Sequence, residues 1–600
     1  MLVVNLKQTI TINLLTNLKD KKRIAILGGG PSGLFMYKRL VDTKRNDLIV
    51  DIFEKKKQLG TGMPYSTEGA NEEHITNVSG NEIPELVTSV AEWIKTVPKD
   101  TLLRYHIDLE HFNDYKVLPR LLFGQYLSAQ FALLQQQAKE NGLITNVHYG
   151  SQVTDIIDYP AQEMVQVEIG GEERYEYDCV VVCTGHNWPS KHEGVIPGYF
   201  DSPYPPAKIA IKVNHPVAIK GSSLTAIDAI RTLARHNGSF TKDDQGKFTY
   251  TVNSDSSGFR MMMHSRNGML PAIRFHLEDS HLLKNAVLSH EVVNQVRAAN
   301  NGFLPLDYVF EKNFKDILKD KDQAFYAEIE NMDIETFVTL VMDLRERLPA
   351  FQLYKAEYVE AAKSIKRRES VYWKEMLAVL SFAMNYPAKY FSAEDMQRLQ
   401  KVLMPLISIV IAFVPQSSVE EMLALHDAGV LDIISVGEDS YVEAVEKGGV
   451  IYHYTDENNE KQASYFETYI DCVGQPHLSY EEFPYQSLVT NKTISPAKLL
   501  FRDAAAGAKE MENGNKNVQT DLKGNYYLRV PGITINDSFE VIDDYNALNE
   551  RIYMMAVPYI GGYNPDYSGL DFCEAASAAI IKSIFNSPIL KDEHLITTSS

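Results

Sequence analysis

Six hundred residues exceed what one hydrophobic core organises, so the chain divides into several domains. Hydrophobic residues at 44% and charged residues at 23% exclude wholesale disorder, and a net charge of −20 excludes a nucleic-acid partner, whose backbone needs a basic footprint. The four cysteines, Cys179, Cys183, Cys472 and Cys573, form no C-x-x-C pair and cannot build a disulfide framework, which points to a reducing compartment.

The opening stretch, MLVVNLKQTITINLLTNLKDKK, lacks a continuous apolar region and a small-residue cleavage site, so no signal peptide is expected. The most apolar later run, residues 406–414 between Pro405 and Pro415, is less than half a bilayer span. A soluble cytoplasmic protein without a membrane partner is the expectation.

From Lys21 onward RIAILGGG reads as a strand running into glycines, PSGLFMYKRLVD as a helix, and LIVDIFEK (48–55) as a second buried strand. Strand, helix, strand in this span is a βαβ unit with a right-handed crossover. Residues 116–139 are helical, and CVVVCTG (179–185) is a buried strand ending in a turn. The strand–glycine–helix theme recurs over 216–236, a polar excursion at 237–258 suits a hairpin, and FRMMMHSRNG supplies the next strand. Residues 280–425 are helical in pattern. Strands return at VLDIISVG, GVIYHYT and SYFETYIDCVG; 503–521 reads as an exposed loop, and EAASAAIIKSIF (574–585) as a closing helix.

The resulting fold class is α/β, with two Rossmann-like dinucleotide-binding domains, for FAD and NAD(P)H, and an inserted, mainly helical block. The expected divisions are 21–205 and 486–600 for the FAD-binding domain, 206–285 and 426–485 for the NAD(P)H-binding domain, and 286–425 for a helical insertion that forms the substrate pocket or its cap.

Gly28-Gly29-Gly30-Pro31-Ser32-Gly33 satisfies G-x-G-x-x-G between a strand and a helix, with Glu54 at the end of the next strand. Gly28 permits the tight turn, Gly30 the approach of a pyrophosphate to the backbone, and Gly33 close helix–strand packing. The phosphates then meet the helix N-terminus at Pro31 and Ser32. Glu54 suits a ribose diol and repels a 2′-phosphate, which favours FAD or NAD over NADP. Gly221-Ser222-Ser223-Leu224-Thr225-Ala226 is a degenerate second turn, and the following strand delivers Ser265 and Arg266 to the place of that nucleotide's ribose. A guanidinium beside a hydroxyl suits a 2′-phosphate, so NADPH is expected there, with NADH possible.

With these residues in place the chain resembles the bacterial FAD/NAD(P)-binding flavoproteins related to class B flavin monooxygenases of the N-hydroxylating type. GTGMPYS (60–66), HITNVSG (74–80), LPRLLFGQYL (118–127), CTGH (183–186), SPYP (202–205), GSSLTAID (221–228), HSRNGMLP (264–271) and DCVGQP (471–476) carry the resemblance. It implies cofactor contacts at Gly62, Tyr65, Asn77, Arg120, Thr184, Gly185 and Gly474; Lys55 and Val153 join the expected cofactor shell, and His186 is a candidate flavin contact. The Phe-x-Gly-x-x-x-His fingerprint is absent from the 186–216 linker. The Gly-Asp pair expected beside the ribityl chain is also missing, and GGYNPDYSGLDF (561–572) offers Asp566 or Asp571 in its place.

The resemblance implies an NADPH-consuming, FAD-dependent monooxygenase acting on a small molecule with O2 through a C4a-(hydro)peroxyflavin, with N-oxygenation of an amine or amino acid as the first reading. A flavin reductase with a non-oxygen acceptor and a non-catalytic redox sensor are the alternatives. The sixteen histidines show neither HExxH nor a Cys/His ligand spacing, so no metal is expected, and His276 and His281 are read as helix-surface residues.

Overall fold

The computed structural model describes residues 21–185, 190–244, 246–278, 288–475, 477–565 and 569–586. The first domain is built on β1 (Lys22–Leu27), α1 (Pro31–Asp42), β2 (Leu48–Glu54), α2 (Arg120–Glu140), β3 (Ile144–Tyr149) and β4 (Cys179–Val182). The second begins with β5 (Pro216–Lys220), α3 (Leu224–Asn237) and β6 (Arg260–Ser265), and regains β7 (Leu431–Ser435) and β8 (Thr468–Asp471) beyond the helical block. The chain then returns to the first domain as β9 (Leu548–Met554) and α4 (Leu570–Asn586).

The first sheet runs in the order β9, β4, β1, β2, β3, all parallel, with the short strand Glu540–Ile542 antiparallel on the β9 edge. Ile26 lies opposite Ile52 on one side and Val181 on the other. Every residue of β2 is buried, as the near-continuous apolar run of a strand covered on both faces requires. The second sheet, β8–β5–β6–β7 with Tyr199–Phe200 beyond β8, is also wholly parallel. Residues 238–252 form the expected hairpin.

The helical elements run from His290 to Asp427 and hold both nucleotide domains. Glu421 accepts from Arg231 of α3 at 2.8 Å and pairs with Arg235 at 2.7 Å. On the other side Asp537 of the first domain accepts from the Tyr390 hydroxyl at 2.6 Å and pairs with Lys389 at 2.7 Å. Burial lowers the Lys389 pKa, although the Asp537 charge opposes it.

Two expectations are corrected. Residues 504–512 form a helix rather than a loop, with the Asp503 carboxylate capping the Ala505 N–H at 2.9 Å. Gly507 lets that helix approach Tyr526, whose Cβ would lie 2.3 Å from an added Cβ. His276 is buried on an extended segment, its N–H donating to Ser364 Oγ at 3.0 Å, instead of on a helix surface. His281 lies outside the described residues.

Candidate functional site

The first turn joins β1 to α1. Gly28 has φ +110°, and a Cβ there would meet Cys183 O at 2.7 Å; one on Gly33 would meet Gly28 O at 2.1 Å. Gly30 caps α1 without a side chain, leaving the first helical N–H groups for an anion, and Pro31 at the first position has none to satisfy. Beside it the second glycine loop closes in: Gly60 N–H donates to Gly29 O at 2.7 Å, and a Cβ on Gly30 would lie 3.1 Å from Gly62 Cα. Side-chain-free backbone on both walls makes a cradle that fits a pyrophosphate.

Glu54 is 6% exposed and oriented by two backbone donors, Gly29 N–H on Oε2 at 2.8 Å and Lys56 N–H on Oε1 at 2.9 Å. Each oxygen keeps a further lone pair for a ribose hydroxyl. Ser151 N–H donates to Glu54 O at 3.0 Å, bringing the half-buried Val153 to the same strand end. Lys55 is exposed. Lys56, which sequence reasoning passed over, donates to Gly62 O and Ser66 Oγ at 3.1 Å each and pairs with Glu68 at 2.6 Å, tying the loop down.

The C-terminal helix α4 completes this wall. Cys573 Sγ lies 3.4 Å from Ser32 Oγ, and Arg39 of α1 pairs with Glu574. The positive ends of α1 and α4 therefore meet beside the glycine turn, with Asp571 in the first turn of α4. Burial pushes the Cys573 thiol up to about 11, against the Ser32 hydroxyl. Asp566 lies outside the described residues, as does His186. Tyr65 packs edge-on to Phe123 at 4.9 Å, and burial pushes its phenol up to about 12, against the Arg120 charge. Thr184 Oγ1 is buried beside the turn near the Tyr485 and Tyr559 phenols, while Gly185 is open. Burial raises the Tyr485 and Tyr559 phenols, and the Thr184 hydroxyl acts on both in the opposite direction.

The second turn is a looser copy. Gly221 has φ +103° and would carry a Cβ 3.0 Å from Cys472 O. Ser222 Oγ donates to Met269 O at 2.8 Å; Ser223 caps α3 with its backbone only, ahead of Leu224 and Thr225 in the first turn. Ser265 Oγ donates to Asn267 Oδ1 at 3.3 Å. Arg266 is exposed, and among the described residues its guanidinium has no hydrogen-bond or ion-pair partner. Gly474, at φ +93°, has nothing within 4 Å of a Cβ position. An exposed guanidinium with no partner among the described residues fits a 2′-phosphate.

Asn77 and Arg120 sit at the seam between domains. Asn77 Nδ2 donates to Ala412 O at 3.5 Å. Arg120 Nη1 donates to Asp228 Oδ2 on α3 at 2.5 Å, and the Tyr204 hydroxyl to the same oxygen at 2.7 Å. Burial pushes Asp228 up, but the Arg120 charge, followed by weaker contributions from His74 and the Tyr204 hydroxyl, outweighs it and holds the carboxyl below the usual range. His74 Nδ1 accepts from Asn71 N–H at 3.1 Å, so Nε2 carries the proton and donates across the seam to Asp228 O at 3.1 Å and Thr232 Oγ1 at 3.0 Å. Burial lowers its pKa. The unfolded imidazole takes a proton near pH ~6.5 and the folded one resists it, so stability falls as pH drops below that value. A His74→Gln variant is expected to show a flatter denaturation midpoint between neutral pH and the mildly acidic range; an equal acid slope in both proteins counts against this assignment.

Residues 25–187 match the family described as FAD-NAD(P)-binding, and residues 289–411 the YdhS-like middle domain. The uncharacterized protein YdhS of Escherichia coli K12 is 28% identical over 474 residues, covering 78% of this chain and 86% of that one. Among solved structures, L-lysine 6-monooxygenase from Pseudomonas syringae aligns over 94% of this chain and 99% of its own at TM-score 0.43 and 11% identity. Bacillithiol disulfide reductase from Staphylococcus aureus aligns over 94% and 98% at TM-score 0.39 and 11% identity. Superpositions this loose carry neither protein's activity to this chain. The FAD-NAD(P)-binding match, which spans the first glycine turn, agrees with FAD and a nicotinamide dinucleotide as the cofactors. Over residues 25–187 the chain is similar to the FAD-NAD(P)-binding family, and within its helical block residues 289–411 match the YdhS-like middle domain.

Proposed function

We propose that the chain is an FAD-dependent, NADPH-consuming monooxygenase that transfers oxygen from O2 to the nitrogen of an amine or amino acid. The observation that carries this reading is the division of charge between the turns: a pinned carboxylate, Glu54, at the first and an unpaired guanidinium, Arg266, at the second. A ribose diol is accepted where a 2′-phosphate is repelled, and the reverse holds at the other turn. Bound FAD supplies the store for reducing equivalents from NADPH and the reaction with O2. The Gly30–Gly62 cradle would hold its pyrophosphate, the N-terminal ends of α1 and α4 would offset part of its charge, and the buried Arg120–Asp228 seam would keep water out of the junction of the two domains. The amine or amino-acid substrate comes from the family resemblance alone, since the glycine, CTGH and HSRNGMLP segments specify the two dinucleotides and no substrate.

An Arg266→Ala variant is expected to raise KM for NADPH about tenfold, the loss of a charge-assisted hydrogen bond, and to leave KM for NADH within error. Equal effects on both coenzymes contradict the assignment. The function is tested by reducing the yellow protein anaerobically with NADPH, then admitting ¹⁸O2 with candidate amines. One labelled oxygen in an amine product supports the reading. Reduction followed by electron delivery to an added acceptor, without labelled product, replaces it with a reductase. Failure of both NADPH and NADH to bleach the flavin replaces it with a sensor.

A further inference from the structure

Residues 267–274 leave the end of β6 as an extended segment that touches all three parts of the molecule. At its start, Asn267 Oδ1 accepts from Ser265 Oγ and from Met269 N–H, both at 3.3 Å, and Gly268 takes φ +67° to turn the chain. Met269 O receives the Ser222 hydroxyl of the second glycine turn at 2.8 Å. Leu270 O receives Arg345 of the helical block at 3.4 Å. Ala272 N–H donates to Ile409 O at 2.9 Å, Val414 N–H to Ala272 O at 3.0 Å, and Arg274 N–H to Val414 O at 2.9 Å, a short parallel bridge to the same block. Residues 269–277 are buried throughout.

The segment ends in the first domain. The Arg274 guanidinium donates to Asn77 O, to Ser79 Oγ at 2.7 Å and to Glu82, and both charged partners are largely buried. Arg345 is itself fixed by a buried pair with Glu357 at 2.6 Å, and Lys374 pairs with the same carboxylate at 3.0 Å. A displacement of the second turn relative to the first domain would have to break a buried ion pair at one end or the bridge to residues 409–414 in the middle. Such contacts have discrete made and broken states and do not stretch.

We propose that residues 267–274 are a positioning strap and that Arg274 is the positioning residue that holds the second glycine turn at one fixed separation from the first domain. The proposal rests on the reading of the two turns as FAD and NADPH sites for its kinetic consequence, and on the strap alone for its geometric one. Cofactor-to-cofactor transfer then proceeds in this chain without rotation of one domain against the other. Arg274 lies in neither glycine turn; it acts through Asn77 and through the strap's grip on Ser222.

The geometric arm uses full-length holoprotein spin-labelled at Glu140→Cys on α2 and Lys461→Cys in the second domain, both exposed positions, the four native cysteines being buried. One narrow interdomain distance, unchanged by NADPH, is expected in the otherwise native background. It should broaden in Arg274→Lys, which keeps the charge but loses the forked donor set, and in the isosteric Glu82→Gln should the first variant fold poorly. In the kinetic arm, anaerobic flavin reduction by NADPH should slow about tenfold or more in either variant while the Kd for NADPH shifts less than about threefold, because misplacement affects transfer more than binding. A native distance that is broad or moves with NADPH overturns the proposal, as does a variant that matches the native protein in both arms. A native flavin that NADPH cannot reduce tells against the cofactor reading instead, and leaves the distance arm to decide on the strap.

Discussion

A Gly30→Val variant is expected to purify folded and colourless. Gly30 has φ −76°, an ordinary value for any residue, so valine introduces no backbone strain. What it introduces is bulk: its Cβ would lie 3.1 Å from Gly62 Cα and 3.6 Å from Gly62 N, with two methyl groups beyond it in the cradle. Gly28 and Gly33 do not offer this separation of effects. A side chain at Gly28 combines φ +110° with a 2.7 Å approach to Cys183 O, and one at Gly33 drives into Gly28 O at 2.1 Å, so both would damage the β1–α1 packing itself. The measurement is flavin absorbance per mole of protein beside the thermal midpoint of the apoprotein. Loss of colour at a near-native apoprotein midpoint places the pyrophosphate at Gly30, and a yellow Gly30→Val protein removes FAD from this turn.

Much of that turn was legible in the sequence because its signals are local. An apolar run into glycines, proline at the first helical position and a carboxylate at the end of the next strand each constrain backbone within a few residues. Choosing between Lys55 and Lys56 depended on which lysine of a three-residue run faces Gly62 after the strand ends, and composition is silent on that. His276 was misplaced on a helix surface for a related reason. Residues around His276 have no strand partner nearby in sequence, and their pairing lies at 409–414 in the helical block. In the 503–521 segment a glycine and small residues looked like a loop, whereas Gly507 serves the close packing of a short helix on Tyr526. Arg120 shows the limit most clearly. It was singled out from the company of Pro119 and Gly124, but its partner Asp228 is 108 residues away, on the helix that follows the second glycine turn.

Replacing Arg120 with methionine is expected to cost about 3–5 kcal/mol, because it leaves the Asp228 carboxylate buried without its cation. Asp228 is 4% exposed and retains the Tyr204 hydroxyl, with the weaker influence of His74 and Arg231. The sign of the pH dependence follows. In the native chain the folded Asp228 pKa is depressed, so its contribution is present above the unfolded value of about 3.9 and is lost only as pH falls through the lower folded value. Without the guanidinium, burial is the dominant remaining influence and raises the folded pKa, so protonation relieves the variant before it affects the native protein. The stability gap between the two should therefore narrow as pH falls from neutral toward 5, read by denaturant unfolding at each pH. An Arg120→Met/Asp228→Leu double variant should recover part of the loss, since it leaves no charge of this pair uncompensated while costing the Tyr204 hydroxyl its Asp228 acceptor. Flavin content decides between the two roles open to Arg120. If Arg120→Met keeps its flavin under conditions where it remains folded, the residue acts through the seam, joining the sheets whose turns face the cofactors. If colour is lost from folded protein and the double variant does not restore it, the guanidinium is itself a cofactor ligand and Asp228 only holds it in place.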